Sequence, residues 1–250
     1  MLQLEVSAAS HRGRVRTSNQ DAYGYSVDAR CFVLCDGMGG AAGGEVASQV
    51  AVETFLERLA PDGTAAPLAR RMEQAISAAN RILFTRAQRE PALHGMGTTL
   101  VAVVLDEDSR ASVAHVGDSR CYLLRDQTLV RCTRDHSLVE EQVRLGKLTS
   151  AQAARSPMRH VITRAVGVRR SVLVEVQQVQ AAPGDLFLLC SDGVTRELPE
   201  QRIRTLLVQH AEAATRQARN PEQSLAELLV QEAVAAGGAD NATCLTIRLT

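Results

Sequence analysis

The order of helices and strands along the chain is the feature that most limits how it can fold. Helical patterns occur as consecutive pairs, at about 44–59 and 67–89 and again at about 201–218 and 222–235. A doubly wound parallel sheet needs a helix after each strand, whereas paired helices are typical of layers on antiparallel sheets. The order therefore predicts an α+β fold with helix pairs packed on antiparallel sheets.

Short β-prone runs fill most of the remaining chain. The predicted strands cover residues 2–7, 31–35, 98–105, 111–116, 121–125, 129–132, 172–179, 186–190 and 242–249. The segment between the first two strands is predicted to be a loop, and Pro61-Asp62-Gly63 is predicted to end the first helix. A polar helical stretch at 137–154 carries charges of both signs and few large apolar residues, which indicates a surface flap.

Composition excludes several functional classes. The 250 residues include 28 basic and 28 acidic side chains, so the formal net charge is zero, and aromatic residues make up 3%. Neither a basic surface nor aromatic stacking for nucleic acid is therefore expected. The longest apolar run, 100–105, is too short to span a bilayer, and no signal peptide pattern is present. We expect one domain over residues 1–250, in the cytoplasm, with no nucleic-acid or membrane partner.

The cysteines do not form a recognisable metal or disulfide pattern. No C-x-x-C pair occurs, and no cysteine has zinc-type spacing to a histidine. Most lie in apolar, strand-like segments, which predicts buried free thiols. They are Cys31, Cys35, Cys121, Cys132, Cys190 and Cys244.

Several aspartates lie beside small residues where predicted strands begin or end. They are Asp21, Asp36, Asp118, Asp192 and Asp240. If those strand ends converge, the carboxylates form an all-oxygen site of the kind that Mg²⁺ and Mn²⁺ prefer. Such carboxylates would repel one another strongly unless cations neutralised them. The alternative is that Asp-Gly and Asp-Asn serve here only as turn dipeptides.

Three other motifs indicate different chemistry and are weaker. Residues 37–42 (GMGGAA) fit a dinucleotide-binding loop, but Asp36 would then lie beside the pyrophosphate and Glu57 falls inside a helix. Cys190 and Arg196 have the C-x5-R spacing of cysteine-dependent phosphatases, but Asp192 would place a negative charge in the phosphate cradle. We interpret Cys190 as a strand thiol and Arg196 as a surface charge. Residues 106–109 (DEDS), which resemble an aspartyl-phosphate loop, are better interpreted as a hairpin turn.

An ordered set of motifs over nearly the whole chain resembles one family. The segments are 16–21 (RTSNQD), 36–40 (DGMGG), 95–99 (GMGTT), 116–120 (VGDSR), 133–137 (TRDHS), 161–167 (VITRAVG), 184–185 (GD), 191–194 (SDGV) and 239–243 (ADNAT). In this order they resemble the metal-dependent PP2C (PPM) Ser/Thr protein phosphatases in their compact bacterial form. The resemblance extends from about residue 6 to residue 249.

The resemblance implies an αββα four-layer sandwich, in which two antiparallel sheets are flanked by helix pairs. It also implies two Mn²⁺ or Mg²⁺ ions, with Asp36 bridging both and the Gly37 carbonyl binding one. Asp192 and Asp240 would hold the other ion. Asp118 would contribute to a third, weaker metal site.

Further residues take roles from the same resemblance. Gln20 and Asp21 would act through metal-bound waters, and Asn241 would orient Asp240 by hydrogen bonding. Arg16 would bind the substrate phosphate as a planar clamp. Residues 136–159 match the flap beside the active site. A metal-activated water would then attack phosphorus directly, without a phosphoenzyme.

Two residues depart from the family pattern. Gln20 stands where many members have Glu, which removes one negative charge near the metals. Met38 stands where eukaryotic members often have a histidine proposed as the general acid. His136 and His160, near the ends of the flap, are candidates for that proton, although a structural or solvent-exposed role is the simpler interpretation of each.

The expected activity is hydrolysis of phosphoserine and phosphothreonine in proteins, by a monomer that opposes a bacterial Ser/Thr kinase. One alternative is a catalytically silent relative that binds phosphoproteins, although the metal carboxylates Asp36, Asp192 and Asp240 are all present. Another is a phosphatase that acts on a phosphorylated anti-sigma-factor antagonist, with the same fold and metals but a different substrate.

Overall fold

The computed structural model describes residues 3–60, 66–106, 108, 110–215 and 223–250. Its strands are β1 (Leu4–His11), β2 (Asp21–Ser26), β3 (Cys31–Met38), β4 (Gly97–Thr98), β5 (Leu100–Leu105), β6 (Arg110–Val116), β7 (Arg120–Arg125), β8 (Thr128–Arg131), β9 (Glu175–Gln180), β10 (Leu186–Cys190) and β11 (Ala242–Leu249). Its α-helices are α1 (Gly40–Leu59), α2 (Leu68–Arg89), α3 (Leu138–Arg144), α4 (Ser150–Arg155), α5 (Asp192–Glu197), α6 (Glu200–Thr215) and α7 (Leu225–Ala236).

The strands form two antiparallel sheets. One has the order β1-β11-β10-β7-β8, and the other has the order β2-β3-β5-β6-β9 with β4 added beside β3. Strands close in sequence pair as hairpins, such as β5 with β6 and β7 with β8. Because each sheet also joins strands from distant parts of the chain, the two termini meet where β1 pairs with β11.

Alternate side chains of the central strands point to opposite faces of the sheet, and this alternation determines how the layers stack. In β3, Cys31, Val33 and Cys35 pack against α1 and α2, while Phe32 and Leu34 face the other sheet. Neighbouring side chains of a strand point to opposite faces, so a strand that is apolar throughout must be covered on both sides. The fully buried runs in β3, β5 and β10 therefore require helices outside and a second sheet inside.

Three apolar clusters fill the interfaces between four layers. One lies between α1–α2 and the six-stranded sheet, a second lies between the sheets, and a third lies between the five-stranded sheet and α5–α7. The expected α+β fold, an αββα sandwich, is confirmed. In the described parts of the chain, no helix combines the length and the apolar character needed to cross a bilayer.

Part of the segment predicted as a loop before residue 31 is a strand. The first strand continues to His11, and β2 follows at Asp21–Ser26. β2 contains an aspartate, a glycine and a serine, which are poor strand formers. It forms because all six of its residues pair with β3, an interaction that local propensity does not reveal.

The polar stretch predicted as one helix at 137–154 is two short helices. Gly146 has a left-handed φ of 68°, and Thr149 opens α4 with a capping box to Gln152. The base of this segment is closed by the pairing of Ser137 with Ile162. The short helix α5 was also not predicted, and the predicted end of the first helix at residues 61–63 lies outside the described residues.

Asp185, from the Gly184-Asp185 motif, ties the start of β10 to the end of β7. Its carboxylate accepts hydrogen bonds from Nε and Nη2 of Arg125, at 2.8 and 2.6 Å, and from the backbone N–H of Ala182. The Asp185 side chain is 1% exposed, whereas that of Arg125 is 41% exposed. The motif therefore has a structural role on this side of the sandwich.

Asp185→Ala is expected to lower the free energy of unfolding by about 2 kcal/mol, because three donors lose their acceptor and Arg125 recovers water only in part. Urea denaturation followed by circular dichroism measures the change. Asp126→Asn is the matched control, since it removes a negative charge from an exposed turn residue next to Arg125. Equal stability of both variants would contradict this role for Asp185.

Candidate metal centre

A cleft of about 670 Å³ opens at one end of the sandwich, where strands of both sheets end. We call it the acidic cleft. Its walls include the DGMGG segment 36–40, the loop at 16–20, and Ile162 from the end of the flap segment. The polar side chains that line the cleft include Arg16, Gln20, Asp36, Thr99, Asp118, His160, Asp192, Arg196, Asp240 and Asn241.

Asp21 and Asp36 face each other across the β2–β3 pairing. Oδ2 of Asp21 accepts hydrogen bonds from Ser191 Oγ at 2.8 Å and from Thr243 Oγ1 at 2.6 Å. These two hydroxyls come from the other sheet, so Asp21 joins the two sheets beneath the cleft. Oδ1 of Asp21 is buried and has no hydrogen-bond partner among the residues that the structure describes.

The GMGTT motif supports the backbone of Asp36. Asp36 N–H donates to Thr99 Oγ1 at 3.0 Å, and the Asp36 carbonyl accepts from Thr99 N and Thr98 Oγ1. Thr99 Oγ1 also lies 2.7 Å from the hydroxyl of Ser119, the neighbour of Asp118. One threonine therefore connects the β3 end with the β6–β7 turn.

Burial and mutual repulsion disturb the ionisation of these carboxylates. Burial first, and neighbouring aspartates second, raise the pKa of Asp36 and Asp192 well above the ordinary range. Burial raises the pKa of Asp21 and of Asp118 to about 6. Carboxylates held this close resist ionisation unless positive charge is added.

Steric crowding requires glycine at the two positions that directly follow Asp36 and Asp192. A Cβ on Gly37 would collide with the carbonyl oxygens of Gly44 and Gln20, and a Cβ on Gly193 would collide with the carbonyl of Asn241. The Asp-Gly pairs therefore let the backbone pass close to neighbouring segments at the cleft. Neither contact could have been inferred from the turn propensity of Asp-Gly alone.

Asn241 connects the last strand to the N-terminal loop. Its side-chain amide donates to the carbonyls of Arg12 and Ser18, and its Oδ1 accepts from Gln20 N–H, each at 2.9 Å. The hydrogen bond to Asp240 Oδ1 comes from the backbone N–H of Asn241 rather than from its side chain. The side chain thus positions the loop that carries Arg16 and Gln20.

Two arginines converge on Asp240. Arg16 contacts both carboxylate oxygens at 2.8 Å from a side chain that is 54% exposed. Arg196 contacts Asp240 at 2.8 Å and also contacts Asp192. Arg196 is exposed, as expected of a surface charge, but α5 begins at Asp192 and brings its guanidinium to the cleft one turn later.

The two candidate histidines lie in different places. His160 lines the acidic cleft. His136 is buried, stacks on His115 with ring centres 4.6 Å apart, and accepts a hydrogen bond from Gly117 N–H. Arg164 and Glu175 contact its other ring nitrogen, so His136 belongs to a buried cluster that supports the turn before Asp118.

The structure also decides between the competing motifs. Cys190 is fully buried in the cluster between its sheet and α5–α7, and burial raises its pKa to about 12. A protonated, enclosed thiol cannot act as a nucleophile. Glu57 lies within α1, which is not the position of a ribose-binding acid in a dinucleotide fold. Asp106 turns back to bind Arg110 between β5 and β6, as expected for a hairpin.

The residues fit the two cations that the sequence predicts. The unpartnered Asp21 Oδ1 and the raised pKa values of the buried carboxylates indicate a site with too little positive charge. The donors at the cleft are carboxylate and carbonyl oxygens, which hard divalent ions prefer. Three residues that support the aspartates lie in the sequence motifs, but the sequence alone assigned them no role. They are Thr99, Ser191 and Thr243.

Comparison with known proteins agrees with this geometry. The family model described as Protein phosphatase 2C matches residues 9–230. The Ser/Thr protein phosphatase PstP of Mycobacterium tuberculosis is 37% identical over 97% of this chain, which spans 44% of the length of PstP. The Ser/Thr phosphatase Stp of Listeria welshimeri is 35% identical over 98% of this chain and 95% of its own length.

A solved structure has the same overall fold as this chain. The catalytic domain of PstP in complex with two manganese ions superposes with a TM-score of 0.84 at 33% identity, covering 100% of both chains. The family match spans most of the chain, and the alignments with PstP and Stp, which cover nearly all of this chain, agree with it. The chain therefore belongs to the protein phosphatase 2C family of metal-dependent Ser/Thr protein phosphatases.

Proposed function

We propose that this chain hydrolyses phosphoserine and phosphothreonine esters of proteins in the acidic cleft. The observation that carries the proposal is the meeting of buried aspartates from both sheets with an exposed guanidinium at one opening. Family membership supports the same activity.

Two divalent cations, Mn²⁺ or Mg²⁺, complete the proposed site. Asp36 and the Gly37 carbonyl would hold one ion, Asp36 would also reach the second, and Asp192 and Asp240 would hold that second ion. Asp21 and Gln20 would hold water near them, and Asp118 would serve a third, weaker position. When bound, such ions lower the pKa of water and offset the charge that develops on a phosphate ester.

The protein's own groups position the ester. Arg16 reaches the cleft from an exposed position, and its planar guanidinium would bind two phosphate oxygens. Water attacks phosphorus, the ester P–O bond breaks, and the serine or threonine oxygen takes up a proton. His160 lines the cleft and would be the candidate histidine to exchange a proton with that oxygen.

The proposal extends to partners. Substrates are phosphorylated proteins, and a cognate bacterial Ser/Thr kinase would supply them. A monomer in the cytoplasm is the arrangement that we propose for the enzyme. The alternative substrate, a phosphorylated anti-sigma-factor antagonist, would use the same cleft, and phosphopeptide profiling separates the two.

Phosphate release from a phosphothreonine peptide is expected to require Mn²⁺, to stop in EDTA and to return when Mn²⁺ is restored. The physical reason is that the buried carboxylates need added positive charge before phosphate can approach. Cys190→Ser is the control and is expected to keep nearly full activity. Activity that persists in EDTA would contradict the proposal, and metal binding without any activity would favour a silent phosphoprotein binder.

Asp36→Asn is expected to stabilise the metal-free protein by roughly 1–2 kcal/mol, because it removes one of several buried, mutually repelling charges. The same variant is expected to lose most of the rise in melting temperature that Mn²⁺ gives the wild type. Differential scanning calorimetry with EDTA and with Mn²⁺ measures both effects. Asp28→Asn, at an exposed turn, is the control, and an undiminished Mn²⁺ effect in Asp36→Asn would refute the ligand assignment.

Arg16→Ala is expected to raise KM for the phosphopeptide about 10- to 100-fold at saturating Mn²⁺ while changing kcat little, since it removes a charge-assisted contact to phosphate. Steady-state kinetics measure the two constants separately. Arg14→Ala is the matched control on the same loop, where the backbone N–H of Arg14 bonds Gly238. A fall in kcat with unchanged KM would argue against a phosphate clamp.

A further inference from the structure

Arg196 occupies a position to which the proposed function assigns no role. It lies on α5, one helical turn after Asp192, with a side chain that is 31% exposed. Its guanidinium contacts the Asp192 carboxylate through Nη2, and Nη1 lies 2.8 Å from Oδ2 of Asp240. The guanidinium therefore bridges the two carboxylates that would hold the second cation.

Asp240 has no unused oxygen in this arrangement. Oδ1 accepts from Arg16 Nε at 2.8 Å and from the backbone N–H of Asn241 at 2.9 Å, and Oδ2 accepts from both arginines. A cation that binds Asp240 must break at least one of these hydrogen bonds. A cation that binds both Asp192 and Asp240 must displace Arg196, because Arg196 is bonded to both.

Electrostatic repulsion adds to the competition between Arg196 and a cation for these two carboxylates. A divalent cation placed between Asp192 and Asp240 would lie within a few ångströms of the Arg196 guanidinium, and like charges at that distance repel. Arg16 differs in this respect, because it bonds Asp240 from a side chain that is 54% exposed and can move into solvent. Arg196 is less exposed, at 31%, and its backbone lies in α5 one turn after Asp192.

We propose that Arg196 is a metal-competing residue, which neutralises Asp192 and Asp240 in the metal-free protein and must leave them before a divalent cation binds there. The inference rests on the proposed function, since it assumes that Asp192 and Asp240 are metal ligands. Arg196 then sets the Mn²⁺ concentration at which the second cation binds. It also stabilises the metal-free fold by screening two buried charges.

Isothermal titration of Mn²⁺ into the metal-free full chain tests the proposal without any activity measurement. Arg196→Gln is expected to bind Mn²⁺ about tenfold more tightly than the wild type, the order expected when a partly exposed ion pair no longer has to be broken. Arg196→Lys keeps the charge but cannot bridge two carboxylates with a planar fork, so its Kd should lie between the two. Arg202→Gln is the matched control, because Arg202 pairs with Glu232 on helices outside the cleft lining.

The melting temperature in EDTA gives a second readout and shows that each variant is folded. Arg196→Gln is expected to melt below the wild type without metal and to gain more from Mn²⁺. Mn²⁺ binding by Arg196→Gln that is equal to or weaker than wild-type binding overturns the proposal, and so does the same tightening in Arg202→Gln. A wild-type chain that binds no Mn²⁺ overturns the proposed function as well, and the wild-type titration alone distinguishes that case.

Discussion

Repulsion among buried carboxylates is the constraint on which the rest of the site depends. Asp192 is buried and Asp36 is half-buried, both close to Asp21, Asp118 and Asp240, and loss of solvent with this repulsion raises the pKa of Asp36 and Asp192. Neighbouring hydroxyls and arginines offset part of the free-energy cost of holding these carboxylates close together. Hydroxyls of the opposite sheet bond Asp21, and two arginines bond Asp240.

The four-layer sandwich provides the rigid support that such a site needs. The carboxylates come from both sheets, so they meet only when the sheets stack face to face around Phe32, Leu34, Phe187 and Leu189. Close packing of that interface holds the strand ends in fixed positions. The loop that carries Arg16 is less constrained by the core and depends on the hydrogen bonds of Asn241.

Much of this arrangement was predictable, and the failures have identifiable causes. The β-prone runs at β3, β5 and β10 predicted strands, and the helix pairs predicted helical layers packed on antiparallel sheets. β2 was missed because its stability comes from pairing with β3 rather than from its own residues. The contacts of Arg196 with Asp192 and Asp240 were not predicted, because the short helix that begins at Asp192 and carries Arg196 back to the cleft was not predicted. Asn241 was expected to orient Asp240 by hydrogen bonding; its backbone N–H bonds Asp240, while its side chain holds the N-terminal loop, a contact that was not predicted.

The sequence by itself determined the kinds of layers and the chemistry available at their ends. Apolar alternation and paired helices are local patterns, and aspartates beside glycines at strand ends indicate oxygen ligands whatever the exact pairing. The tertiary structure alone decided which aspartates meet, which hydroxyls support them and which arginine lies between two of them. Those facts depend on contacts between residues such as Asp21 and Thr243, which are 222 positions apart and are brought together only by sheet pairing and stacking.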